Sequence, residues 1–180
     1  MTVEGKTIAF VVSVEGIEQA ELTEPWKAVQ EAGGTPKLIS AEPGEVQAFN
    51  HLTPADTFPV DVTLADASVD DYDALMLPGG VANGDQVRMY PDAVALVKDF
   101  ADAGKPVGVI CHGGWVLIEA DVVRDRRLTS WPSLQTDYRN SGATWVDEEV
   151  VVDDGPFTLV SSRKPDDLPA FNREFLAAIG

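Results

Sequence analysis

Short β-branched and apolar runs alternate along this chain with longer stretches of helical spacing. Lys6 to Ser13 reads as a first strand, and Glu18 to Ala32 follows with Leu22, Trp26 and Val29 on one helical face. Gly33-Gly34 is a helix stop, and Pro36 to Ser40 is a second strand. Ala74 to Leu77 is a brief buried strand. Asp92 reads as the N-cap of a helix to Ala103. Val107 to Ile110 is apolar throughout, too short for a helix and preceded by Pro106. Helical spacing then resumes from Trp115 to Ala120. Toward the end, Leu128-Thr129 and Thr144 to Val146 are short strands, Val150 to Ser161 is a hairpin around Asp153-Asp154-Gly155, and Asp166 caps a last helix to Ile179. Glu42 to Thr63, rich in proline and glycine, reads as a hairpin excursion or a long surface loop, and Ser68 to Asp71 as the start of a short helix. Strands separated by helices of ten or more residues predict an α/β fold, with a mostly parallel sheet covered on both faces. Ligands in such folds sit beyond the carboxyl ends of strands, near a reversal of strand order.

The 180 residues fit one domain, 1–180, with no internal repeat or long linker, and such a domain buries enough apolar surface to stand without disulfides. A single cysteine excludes an intrachain disulfide and suits a reducing compartment. The N-terminal segment carries an acid, and its apolar run is too short for an export signal or a membrane span, so a cytoplasmic protein with no membrane partner is expected. Thirty acids against thirteen bases give a formal charge of −17. That surface repels phosphate backbones, which argues against nucleic acid as an electrostatic partner.

Two glycine turns end strands: Pro78-Gly79-Gly80 and Cys111-His112-Gly113-Gly114. A strand, a cysteine, small residues and a helix form the layout of a nucleophile elbow. The helix N-terminus is expected to lower the thiol pKa, and the N–H groups of His112 and of the Gly79-Gly80 turn to form an oxyanion hole. The bland alternative is a buried cysteine acting as a small apolar residue. The Gly79-Gly80 turn lacks the Lys and Ser/Thr of a phosphate-binding loop. One cysteine and two histidines form no metal-ligand pattern, so no metal or cofactor is expected. His112 is the candidate proton carrier. His51 reads as a surface histidine in an irregular segment. Of the acids Glu15, Glu18, Glu21 and Glu24, most should be solvated or cap the helix. One pressed against the sulfur in an apolar pocket would have a raised pKa and donate a hydrogen bond to the thiolate.

Several segments, in order, resemble the PfpI intracellular protease and protein deglycase family, of the class I glutamine amidotransferase-like superfamily. They are Pro78-Gly79-Gly80, Lys105-Pro106-Val107, Ile110-Cys111-His112-Gly113, Ser130-Trp131-Pro132, Gly142 to Asp147, Val150 to Asp153 and Ser161 to Leu168. The general-stress and deglycase branch matches best. The resemblance implies a flavodoxin-like three-layer sandwich, a homodimer or larger homo-oligomer, Cys111 as nucleophile and His112 as its partner. It also implies Glu21, in Glu21-Leu22-Thr23-Glu24-Pro25, as the carboxyl on the cysteine, with Glu18 a second acid near the pocket. Some members complete a triad with a glutamate from the neighbouring subunit. Here the segment after Pro78-Gly79-Gly80 is one residue longer, and Asp85 takes the acid's place. Gly114 stands where members often have proline, and Trp131 where a tyrosine is common; both reshape the pocket.

The resulting expectation is a cysteine-dependent stress-response enzyme of deglycase or cofactor-independent glyoxalase type. It would act on small dicarbonyls or their early adducts with amines and thiols. Two rivals use the same sulfur: an intracellular cysteine peptidase acting on peptides, and a non-enzymatic redox sensor oxidised at Cys111.

Overall fold

The computed structural model describes residues 2–180 and is organised by one seven-stranded sheet. In chain order the strands are β1 (Thr7–Val11), β2 (Glu15–Glu18), β3 (Thr35–Ser40), β4 (Glu45–Asn50), β5 (Thr53–Pro59), β6 (Val62–Thr63), β7 (Ala74–Leu77), β8 (Val107–Ile110), β9 (Arg127–Leu128), β10 (Thr144–Trp145), β11 (Val150–Asp154) and β12 (Thr158–Ser162). The helices are α1 (Gln19–Glu31), α2 (Val81–Val87), α3 (Pro91–Asp102), α4 (Trp115–Glu119), α5 (Gln135–Asn140) and α6 (Leu168–Ile179). The main sheet runs β11-β12-β8-β7-β1-β3-β6, and every pairing in it is parallel except β11 with β12. This is the expected α/β fold with a mostly parallel central sheet.

Alternation along each strand builds two cores. Ala9, Val11, Leu75, Leu77, Val107 and Val109 face Leu96, Val97 and Phe100 of α3 and Val116 and Leu117 of α4. Ile8, Phe10, Met76 and Ile110 face Leu22 and Val29 of α1 and Phe171 and Phe175 of α6. Both sheet faces are thereby sealed, which is why β7 and β8 read as continuous apolar runs.

The segment at 42–63 resolves into the hairpin: β4 and β5 pair antiparallel, and β2 joins β4 in a small separate sheet. Two expected caps move. Tyr90, not Asp92, is the N-cap of α3, because Pro91 takes the first helical position and places Asp92 inside the first turn. Asp167, not Asp166, precedes α6, and Asp166 lies in a 3-10 turn. Asp167 spends its carboxylate on Arg163, at 2.9 Å from Nε. Residues 69–71 form a single 3-10 turn.

The chain leaves β1 for β3 on one side and later places β7 on the other. The reversal of strand order lies between β1 and β7, and the turns after β1, β7 and β8 converge there.

Candidate active site

Cys111 follows β8 directly and adopts φ +60°, left-handed for an L-residue. That conformation costs on the order of 1 kcal/mol and survives because the surroundings fix it. The Cys111 N–H bonds the Ser162 carbonyl at the end of β12, and its own carbonyl receives the Trp131 N–H. Gly113 is required beside it: a Cβ there would lie 2.6 Å from the Pro78 carbonyl oxygen and 2.7 Å from that of Leu77. The strained turn turns the sulfur away from the strand and leaves Cys111 8% exposed.

The second glycine turn closes over the sulfur. Gly79 is bare because Glu21 and Cys111 fill the space beside it, a Cβ lying 2.6 Å from the Cys111 Cβ. Gly80 takes φ +95° against the Gly16 carbonyl. Asn83, buried in α2, fixes this turn: its Nδ2 donates to the Pro78 and Gly79 carbonyls, and its Oδ1 accepts the Ser13 N–H at 2.8 Å. With the turn held, the N–H groups of Gly80 and His112 both donate toward the sulfur. These are the two donors named from the sequence for the oxyanion hole.

Glu21 enters from the first turn of α1 and is fully buried. Desolvation raises its pKa from 4.5 to about 8, and the negative charge of Glu18 adds to the rise. The Cys111 sulfur and the Gly79 N–H act on the carboxyl in the opposite sense. Neither meets it in the alignment of a full hydrogen bond, and both its oxygens lack a partner. Glu18 itself stays outside, its Oε2 accepting the His51 N–H at 3.1 Å. His51 is an exposed residue of the hairpin turn with φ +56°.

One electrostatic expectation is reversed. Burial, and next the charge of Glu21, push the Cys111 thiol pKa up, not down. The helix beyond the elbow, α4, has only five residues, and its dipole is correspondingly small. The sulfur and the carboxyl therefore compete for protons as a pair. The N–H groups of Gly80 and His112 favour the thiolate, but burial outweighs them, and a proton on Glu21 removes only the second cause of the rise.

His112 does contact the sulfur despite being its sequence neighbour. Nδ1 is 3.1 Å from Sγ, a direction opened by the left-handed turn. On the far side of the ring, Nε2 is 3.2 Å from the Ser133 hydroxyl. Trp131 stacks on the imidazole at 5.9 Å between centroids, and Trp115 tilts against it at 5.4 Å. Burial lowers the His112 pKa, so the ring is neutral at physiological pH. Asp85 lies exposed on α2 and bonds to neither His112 nor Cys111 within the chain. Among the described residues, no three His, Cys, Asp or Glu side chains converge as a metal site. No helix among those residues is long and apolar enough to cross a membrane.

A cysteine elbow with an adjacent imidazole and a buried glutamate beneath a Pro-Gly-Gly turn is the arrangement the sequence resemblance implied. The DJ-1/PfpI family matches residues 6–178. The chain belongs to the DJ-1/PfpI family. It is similar to General stress protein 18 of Bacillus subtilis, with 42% identity covering 97% of this chain and 98% of the relative. It is also similar to Protein/nucleic acid deglycase 2 of Escherichia coli, with 39% identity over the same shares. In fold it matches a ThiJ/PfpI domain protein from Brachyspira murdochii, with a TM-score of 0.88, 21% identity and coverage of 97% and 96% of the two chains. The flavodoxin-like architecture expected for a DJ-1/PfpI protein is thus the one present.

Sequence reasoning did not single out Asn83, Trp115 or Ser133. Asn83 sits in Val81-Ala82-Asn83-Gly84, where asparagine and glycine disguise a helix. Ser133 stands one residue beyond the Ser130-Trp131-Pro132 motif. Only the packing of that turn against the elbow brings it to His112.

Proposed function

We propose that this chain is an enzyme of deglycase or cofactor-independent glyoxalase type, with Cys111 as nucleophile toward reactive dicarbonyls and their early adducts. The observation that carries the reading is the sulfur's setting: two backbone N–H groups, an imidazole nitrogen at 3.1 Å and a carboxyl that burial keeps protonated. Relatives named deglycases, at 38–40% identity over most of this chain, support the same class.

In the first step, the Cys111 thiol gives its proton to His112 and the sulfur attacks the aldehyde carbon of a molecule such as methylglyoxal. The new C–S bond makes a hemithioacetal, whose oxygen takes up a proton after the N–H groups of Gly80 and His112 have held its charge. His112 next removes the proton on that carbon and delivers one to the neighbouring carbon, while the hydroxyl proton of the hemithioacetal passes to the ketone oxygen. The former aldehyde carbon is oxidised to a thioester, and the neighbouring ketone is reduced to an alcohol. Water cleaves the thioester, freeing the thiol and a 2-hydroxy acid. No external oxidant is required. Where the substrate is an adduct on an amine or thiol, the new C–S bond forms as the adduct's C–N or C–S bond breaks, and the departing group takes the proton that His112 received. Glu21, whose carboxyl oxygens have no other partner, keeps a proton that can turn toward the thiolate once it forms.

Cys111 is almost enclosed, at 8% exposure, which favours a small substrate over an extended peptide. The formal charge of −17 favours free or protein-borne adducts over nucleic-acid polymers. The test is product analysis of the purified protein with methylglyoxal, with glycated N-acetyl-lysine and N-acetylcysteine, and with a labelled peptide set. Hydroxy acid formed by the wild type and lost in Cys111→Ser is the expected result. Peptide cleavage without dicarbonyl turnover makes it a peptidase, and Cys111 oxidation by dilute peroxide without any turnover makes it a sensor.

A further inference from the structure

We propose that Ser133 is the positioning residue for His112, completing a Cys-His-Ser chain within one subunit and supplying a neutral partner where a triad has a carboxylate. The inference rests on the proposed function and adds a residue to it. The Ser133 hydroxyl is 3.2 Å from Nε2, and the opposite ring nitrogen, Nδ1, is 3.1 Å from the Cys111 sulfur. One imidazole thus bridges the two hydroxyl- and thiol-bearing side chains, each ring nitrogen committed to one of them. Trp131 and Trp115 hold the ring in this orientation.

The bridge fixes the proton arrangement. To take a proton from the thiol, Nδ1 must present its lone pair to sulfur, so Nε2 must carry the hydrogen. Ser133 Oγ accepts that N–H and thereby selects the productive tautomer. When the thiol proton moves to Nδ1, the imidazolium still donates from Nε2 to Ser133, and no atom has to move. A hydroxyl adds no negative charge, so the ring stays a weak base that releases its proton readily in the next step. Ser133 lies in the 3-10 turn Pro132–Leu134, and the residue capping that turn, Trp131, donates its N–H to the Cys111 carbonyl and so ties the turn to the elbow. The exposed Asp85 is the alternative third member, and within the chain it bonds to neither ring nitrogen.

The test reads the imidazole directly as well as turnover. In 15N-labelled full-length protein, two-bond 1H–15N spectra of His112 report the tautomer, and the rate of Cys111 alkylation by iodoacetamide against pH reports the thiol–imidazole pair. Wild type should show the Nε2–H tautomer. Ser133→Ala should give a mixture of tautomers, slow alkylation at pH 7 by about fivefold, and lower kcat on methylglyoxal by a similar factor with KM unchanged. Ser133→Thr should restore all three. Ser133→Asp should raise the His112 midpoint by about one pH unit or more. The spectra and the alkylation profile do not depend on the substrate, so failure of the deglycase reading leaves them interpretable. Unchanged tautomer and alkylation profile in Ser133→Ala overturn the proposal, as does a profile moved by Asp85→Asn and not by Ser133→Ala.

Discussion

Glu21→Gln isolates the electrostatic cost of burying an acid beside the sulfur. The Glu21 carboxyl is fully buried, and its pKa rises from 4.5 to about 8, chiefly by desolvation. The folded protein therefore binds this proton more tightly than the unfolded chain does. The stability associated with it is complete below pH 4.5 and is lost as the pH rises through 8, so the slope of unfolding free energy against pH is negative between these values. At 1.36 kcal/mol per pH unit the full span is worth about 5 kcal/mol, and about 3 kcal/mol of it is already lost at pH 7. Glutamine has nearly the same shape and does not titrate. The variant should match wild type closely near pH 5 and exceed it progressively above, the gap widening by roughly 4 kcal/mol between pH 5 and 8. Urea unfolding at half-unit pH intervals, followed by the fluorescence of the four tryptophans, measures this gap. A gap that stays constant across the range would refute the claim that burial holds Glu21 protonated. The same substitution should reduce turnover by ten-fold or more, since an amide donates to the thiolate more weakly than a carboxylic acid.

The other expectations follow from named contacts. Cys111→Ala should abolish turnover and leave the circular-dichroism spectrum and melting profile close to wild type; retained activity would remove the nucleophile. Gly114→Ala should destabilise the fold by about 3 kcal/mol or more, because the added Cβ would fall 1.5 Å from the buried Tyr138 hydroxyl oxygen. Tyr138→Phe in the same chain should recover only part of that loss, since the ring carbon Cζ still stands 2.8 Å from the Cβ; thermal denaturation of the two variants beside wild type checks both points. Phe100→Ala should cost about 3–5 kcal/mol in urea denaturation, for the ring is fully buried between α3 and the sheet. Asp85→Ala should lower kcat only if a second subunit carries that residue to His112, and steady-state kinetics beside sedimentation velocity will reveal it.

The order of strands and helices, the hairpin at 42–63 and the elbow were legible because each is encoded locally. Val107 to Ile110 has no length for a helix, and Cys111-His112-Gly113-Gly114 leaves the chain little choice but a sharp turn. The errors also have local causes. Glu15-Gly16-Ile17-Glu18 reads as part of an acid cluster, since one apolar residue does not mark a strand, and β2 forms there only by pairing with β4. α2 carries no helical signal in the sequence because Asn83-Gly84 lowers its propensity, while its support is the pair of bonds from Asn83 to the Pro78-Gly79 turn.

By itself the sequence determined the α/β class, the cysteine elbow and the identity of the acid beneath it, because these follow from short-range periodicity, turn chemistry and family resemblance. Only the tertiary structure decided how protons are shared. Glu21 and Cys111 come from opposite halves of the chain, and Ser133 reaches His112 from a third segment. Desolvation depends on everything packed around a group and not on its neighbours in sequence. For that reason a thiol expected to be acidic at a helix start has its pKa pushed up beside a buried carboxyl.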